Sequence, residues 1–322
     1  MPICVYDIAP DGTAQPPAED RPLGDGYRWW HFDLSDPDLP GFLADTVPDI
    51  PAAALTAPET RPRCDTYGDG LILNFRGVNL NADGPADQMV AERMWVTPQM
   101  IVTVRVRRVF ALNTLREQAE AGQAPASPMG FVGALTAGLM ARVQDTVFDL
   151  GDRVDVMEDS VQDDAPLPPD LAEERRMALR LRRYLGPQRA ALAALLGIET
   201  EMMSKGQRAR LREQTNLAKL AVEELDALIA RMTAVQDHHT ARAAEAQGRN
   251  GYVLSIVAAV FLPLGFLTGL FGVNVAGMPG VETPWAFAAL CLGLIVLTVL
   301  GVCVLRRMRW ICTARALHQT GP

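Results

Sequence analysis

A short segment around residue 272 combines residue types suited to receiving a hydrated cation. An apolar run ends in Phe271-Gly272-Val273-Asn274, and a short loop follows. The carboxamide of Asn274 is neutral and accepts hydrogen bonds from the water around an ion, and small divalent ions lose that water reluctantly. The segment therefore predicts metal recognition by Asn274 through hydration water. The alternative is a simple turn, since Gly and Asn both tolerate left-handed backbone geometry.

Small side chains recur at three- or four-residue intervals before this turn and predict one lining face of a helix. They are Gly248, Gly251, Ser255, Ala258, Leu262, Gly265 and Gly269. Leu262 is the bulky member, so several copies of it would form an apolar constriction that gates by dewetting. Alternatively, Gly265 and Gly269 form a small-xxx-small contact between helices. We expect Gly272 itself to be required, because a side chain there would crowd the turn that aims Asn274.

Carboxylates occur at two further places of interest. Glu282 is the single charged residue of the loop 272–284, and several copies would add negative potential at an entrance. Asp145, Asp149, Asp152 and Asp159 share one face of a predicted helix whose other face is apolar. This acidic stripe would sense or concentrate cations. The alternative is a solvated surface paired with the arginine-rich helix that follows.

Two stretches, 252–271 and 285–305, run about 20 residues each without an acidic or basic side chain. As helices each is roughly 30 Å long, which matches the apolar core of a bilayer. We expect two transmembrane helices, and arginines such as Arg249 and Arg306 outside them place both ends in the cytoplasm. Neither span contains a group for a proton relay.

Composition excludes several classes of protein. A net charge of -8 argues against nucleic-acid binding. The five cysteines include no Cys-x-x-Cys pair, which disfavours a disulfide framework or a zinc site. The start of the chain lacks a signal-peptide pattern, so the N-terminal region is expected in the cytoplasm. No phosphate-binding glycine loop or Gly-x-Ser-x-Gly motif is present. We therefore expect no enzyme and no cofactor, with a membrane-anchored enzyme or scaffold as the alternative.

The pattern along the chain predicts seven segments. Strand-like runs at 27–34, 71–78, 88–96 and 100–106 indicate an α/β domain over residues 1–128. Residues 129–206 are predicted to form acidic and basic helices, and 207–251 a long α-helical stalk. The first transmembrane helix (252–271), the periplasmic loop (272–284), the second transmembrane helix (285–305) and a basic tail (306–322) complete the chain.

Gly272-Val273-Asn274, with the loop Gly277-Met278-Pro279-Gly280 and the tail Arg306-Arg307-Met308-Arg309-Trp310, resembles the CorA superfamily of divalent-cation transporters. Val273 makes the motif more similar to the zinc-transporter branch, ZntB, than to the magnesium/cobalt branch, which has Met there. The resemblance implies a pentameric funnel in the bacterial inner membrane. It also implies zinc uptake, with a magnesium or cobalt channel as runner-up and nickel or cadmium as further ions.

Overall fold

The computed structural model describes residues 1–17, 23–81, 84–162, 166–273 and 283–319. The chain divides into two compact units, Met1–Gln236 and Asp237–Pro322. The first contains the β-sheet and most of the helices, and the second contains two long apolar helical stretches.

A mixed sheet forms the centre of the first unit. Its strands are β1 (Cys4–Ile8), β2 (Ala14–Gln15), β3 (Tyr27–Asp33), β4 (Arg63–Tyr67), β5 (Gly70–Gly77), β6 (Val90–Val96) and β7 (Met100–Arg105). The order across the sheet is β2-β1-β3-β7-β6-β5-β4. The pair β3 and β7 is parallel, and the other neighbouring pairs are antiparallel. The four strands predicted from apolar runs are present as β3, β5, β6 and β7.

The helices are α1 (Leu39–Thr46), α2 (Asp49–Thr56), α3 (Phe110–Glu120), α4 (Pro128–Gln162), α5 (Leu171–Gly197), α6 (Lys205–Gly272) and α7 (Ala286–Gln319). Helix α4 carries the acidic stripe. Helix α6 is 68 residues long. The sequence contains no proline between residues 206 and 263, which predicts a single long helix there. The predicted α/β region, long helix and two C-terminal apolar helices are confirmed.

Alternating side chains of the strands serve two cores, because successive residues of a strand point to opposite faces. Leu71, Leu73 and Phe75 of β5 belong to the larger core, together with the apolar faces of α3, α4, α5 and the first part of α6. Ile72 of the same strand belongs to the smaller core under α1 and α2, with Trp95 and Leu43. The sheet is thus buried on both faces.

Glu92 and His31 are two of the ionisable side chains buried in this region. The carboxylate of Glu92 is fully buried, and neither of its oxygens has a hydrogen-bond partner within the described part of the chain. Burial raises the pKa of Glu92 to about 8, against the opposing effect of Arg105 and Arg93. His31 is neutral at physiological pH because burial lowers its pKa to about 3. Its Nδ1 lies 2.8 Å from the hydroxyl oxygen of Thr103.

We predict that Glu92→Gln removes a pH-dependent loss of stability. Between the unfolded pKa near 4.5 and the folded pKa of about 8, only the folded state holds the proton. Stability from this group therefore falls as pH rises, by about 1.4 kcal/mol per pH unit at most. Thermal unfolding of both proteins from pH 5 to 9 measures the difference. The advantage of the variant should grow up to pH 8 and then level off, and parallel curves would contradict the assignment.

Candidate functional site

Two stretches of the second unit are long and apolar enough to cross a membrane. The apolar part of α6 reaches a mean hydropathy of 2.3, and Ala286–Val304 of α7 reaches 2.8. No residue of either window is buried inside the chain. Apolar helices without a protein cover suit a lipid environment, in which the helix satisfies its own backbone groups.

The half-buried side of α6 in this region is the side that meets α7. Ile256, Val260, Pro263, Leu264 and Leu267 are partly covered. Leu264 and Thr268 of α6 face Leu294 and Thr298 of α7 across a groove of about 410 Å³. The two helices therefore associate through larger apolar side chains and two threonines.

The seven residues predicted to line a pathway lie mainly on the other side of α6. Gly248, Gly251, Ser255, Ala258, Leu262, Gly265 and Gly269 are all exposed. At 3.6 residues per turn they cluster roughly opposite Val260 and Leu267. Gly265 also borders the groove toward α7. The structure thus brings the small residues together on one surface that the chain itself leaves uncovered.

The glycines of this surface are not required for packing within one chain. A Cβ atom added to Gly248, Gly251, Gly265 or Gly269 meets nothing within 4 Å. A small-xxx-small contact between the two spans of one chain would place neighbouring atoms there. Among the described residues, therefore, no atom approaches these glycines closely.

Hydroxyl groups near this surface bond to their own helix. Ser255 donates to the carbonyl of Gly251 at 2.9 Å, and Thr268 donates to that of Leu264 at 2.9 Å. Each oxygen keeps lone pairs that can accept a hydrogen bond. Ser255 therefore offers the exposed surface one neutral acceptor rather than a charge.

The signature segment is only partly described. Helix α6 ends at Gly272 and Val273 follows, whereas Asn274 and Glu282 lie outside the described residues. Gly272 does not have left-handed backbone geometry, and an added Cβ meets nothing within 4 Å. The turn that carries Asn274 begins beyond the described residues, so the expectation that a side chain at Gly272 would crowd it stays a prediction.

The acidic stripe lies on the exposed side of α4. Asp145 and Asp152 line a groove of about 760 Å³ that α4 forms with α6, next to Phe148 and Leu220. Among the described residues, none of Asp145, Asp149, Asp152 and Asp159 forms an ion pair within 4.0 Å.

Arginines of the following helix α5 have other partners. Arg182 pairs with Asp226 at 2.7 Å, and Arg180 pairs with Asp87 at 2.9 Å. The alternative in which this helix neutralises the acidic stripe therefore does not describe the structure.

Inner-sphere metal ligands do not cluster in the parts of the chain that the structure describes. Groups of three or more His, Cys, Asp or Glu side chains positioned to hold a metal ion are absent there. His238 and His239 are neighbours on α6 and point about 100° apart.

A cleft lined by arginines in the first unit was not predicted. Arg76 and Arg93 reach it from β5 and β6, and Arg183 reaches it from α5. Charged residues inside apolar strands were the available sequence signal. Spacing alone could not show that three distant elements meet.

These features define an integral membrane protein with a large α/β domain, a long helix and a C-terminal helical hairpin. The chain belongs to the family of CorA-like Mg²⁺ transporter proteins, whose model matches residues 24–307.

Similarity to individual proteins supports the assignment to this family. The zinc transport protein ZntB of Pectobacterium carotovorum is 34% identical over 286 residues, which cover 88% of each chain. The full-length CmaX protein has a similar structure, with a TM-score of 0.82, 29% identity, and coverage of 96% of this chain and 98% of that one. The CorA magnesium transporter of Methanocaldococcus jannaschii shares the fold, with a TM-score of 0.74 at 13% identity and coverage of 94% and 96%.

We predict that Gly272→Ala leaves folding of the protein unchanged, because the added methyl meets no atom of the described residues within 4 Å. Gly70→Ala is the contrasting glycine, since its methyl would overlap the Trp95 indole. That overlap should cost about 1–3 kcal/mol. Circular dichroism during heating of the purified protein in detergent measures both. A lower melting temperature for Gly272→Ala than for Gly70→Ala would contradict the description of the helix end.

Proposed function

We propose that this protein carries divalent cations, zinc above all, across the bacterial inner membrane. The observation that carries the proposal is the small-residue surface of α6, which is exposed on the side away from α7. Membership of a transporter family and similarity to proteins named for zinc transport support the same function. Catalysis is not part of the proposal.

One chain cannot enclose a path with one such surface, so several copies must surround it. We infer a homopentamer, the number that the resemblance to the CorA superfamily implies. The exposed glycines then face the axis, where small side chains leave room for a hydrated ion. Five copies of Leu262, which is 74% exposed in the single chain, form the apolar constriction that gates by dewetting.

Ion capture is assigned to the segment that follows α6. Asn274 stands two positions beyond the last helical residue, Gly272. A ring of its carboxamides would accept hydrogen bonds from the hydration shell of an arriving ion, and a ring of Glu282 would add attraction. The arginines outside the spans support a periplasmic position for this segment and a cytoplasmic position for both chain ends.

The membrane potential is sufficient to drive uptake. A divalent ion moving inward gains about 4.6 kcal/mol per 100 mV, twice the value for a single charge. The spans 252–271 and 285–305 contain no Asp, Glu, Lys, Arg or His. Passive flow therefore needs no proton relay inside the bilayer.

Two variants of Asn274 test its role in ion capture. Asn274→Ala should reduce zinc flux into liposomes by orders of magnitude, because a charge-assisted hydrogen bond contributes roughly 1.5–3 kcal/mol and the loss is repeated around the ring. Asn274→Gly is the matched control for the turn, since it preserves left-handed geometry but lacks the amide. Flux near that of the parent in Asn274→Gly would refute recognition by the amide. Magnesium, cobalt, nickel and cadmium in the same assay rank the ions, and light scattering checks that each variant assembles.

A variant of Leu262 tests the apolar constriction. Leu262→Ala should increase leak through the closed state, since the smaller side chains wet more easily. Leu292→Ala removes a leucine that is 64% exposed on α7 and serves as the control. Equal flux through the two variants, measured at a cytoplasmic cation concentration that inhibits the parent, would move the gate away from Leu262.

We also propose that the acidic stripe concentrates or senses cytoplasmic cations. Changing Asp145, Asp149, Asp152 and Asp159 together to Asn should shift the ion concentration at which flux is inhibited upward. A control with Asp170→Asn and Glu173→Gln alters carboxylates at the start of α5 instead. An unchanged inhibition curve in the fourfold variant would leave the stripe as a solvated surface.

A further inference from the structure

The cleft lined by arginines carries positive charge in a chain of net charge -8. Its volume is about 350 Å³, and its lining includes Arg76, Arg93, Arg107, Arg180 and Arg183. Asp87 is the one carboxylate among the lining residues, and it is paired with Arg180 at 2.9 Å. Among the described residues, the other four guanidinium groups form no ion pair with a carboxylate within 4.0 Å.

Arg93 is the deepest of these groups. Its side chain lies on β6 and the residue is 3% exposed. Nη2 donates to the carbonyl of Ala57 at 2.9 Å, but Nε and Nη1 have no hydrogen-bond partner in the described structure. Leaving buried charged donors unpaired is costly. An acceptor entering the cleft would remove that cost.

Arg76 lies on the same face of the sheet, on the neighbouring strand β5. Two of its nitrogens donate to the carbonyls of Met89 and Thr60 at 2.7 Å, while Nε has no partner among the described residues. Its guanidinium is held 4.2 Å from the centre of the Tyr184 ring. The group is fixed in place before any ligand arrives.

The local balance of charge favours an anion. Burial lowers the pKa of Arg93, and nearby Arg76 lowers it further, although Glu92 opposes both. Glu92 is on the adjacent position of β6 and therefore points to the opposite face of the sheet. Burial keeps the Glu92 carboxyl protonated below a pH of about 8, so it supplies no full compensating charge.

We propose that this cleft binds a small, multiply charged oxyanion, of the phosphate or carboxylate kind, in the Met1–Gln236 unit. Guanidinium groups bind both kinds through paired N–H donors. A volume of about 350 Å³ is at the lower end for ligand pockets and suits a metabolite with two or more anionic groups. The site does not depend on the proposed transport function.

Calorimetry on the metal-free, full-length protein in detergent tests the proposal. Pyrophosphate and citrate are titrated separately at constant ionic strength, with chloride as the monovalent comparison. We expect saturable binding of one or both oxyanions, with one site per chain. Tighter binding of pyrophosphate would identify phosphates as the ligand class, and tighter binding of citrate would identify carboxylates. Binding of both no tighter than that of chloride would overturn the proposal.

Two exposed arginines of α5 give a matched pair of variants. Arg183 lines the cleft and Arg176 does not. Arg183→Gln should weaken binding about tenfold to a hundredfold, and Arg176→Gln should leave it unchanged. Equal weakening would show a diffuse effect of net charge and overturn the site. Arg93→Met should abolish binding as well, and Arg183→Gln keeps the test decisive if Arg93→Met does not fold.

Discussion

Helix α6 must satisfy two environments along one continuous backbone. Its first part buries an apolar seam, in which Leu225, Leu228 and Met232 are completely covered by the larger core. After Tyr252 the helix is apolar on all sides, and none of the residues in its apolar window is fully buried by the chain. A helix satisfies its own backbone hydrogen bonds in both environments. The remaining elements therefore need only cover the seam at one end and leave the other end available to lipid.

The elements that the sequence predicts correctly are those in which the local pattern of apolar residues matches the burial seen in the structure. Strands β5 and β6 consist mainly of apolar residues, and most residues of both strands are in fact buried. Strand β4 was missed because it is an edge strand with mostly exposed residues, so it lacks an apolar signal. Helices α1 and α2 were missed because eight residues each, with proline close to the start, give too short a periodic pattern. Tertiary packing, rather than local pattern, determines these elements.

The candidate pathway could be predicted residue by residue because helical spacing alone determines which side chains share a face. What lies opposite that face could not be predicted, since it depends on the position of the second span. Contacts in the structure now separate the side that meets α7 from the small-residue side. The arginine cleft, by contrast, could not be predicted from the spacing of its residues. Its members come from β5, β6 and α5, and only the sheet register brings Arg76 and Arg93 together.

The proposed pathway also bears on ion preference. Zinc binds most strongly to nitrogen and sulfur ligands, and a site that strips its water needs several of them. The small-residue surface offers glycine, alanine, leucine and one serine hydroxyl instead. An ion on this surface must keep its water, so discrimination depends on the size and charge of the hydrated ion rather than on ligand chemistry. Divalent ions of similar hydrated size should therefore differ little in their passage along α6. A strong preference for zinc would have to arise where the ion enters, at the segment containing Asn274, or where it leaves.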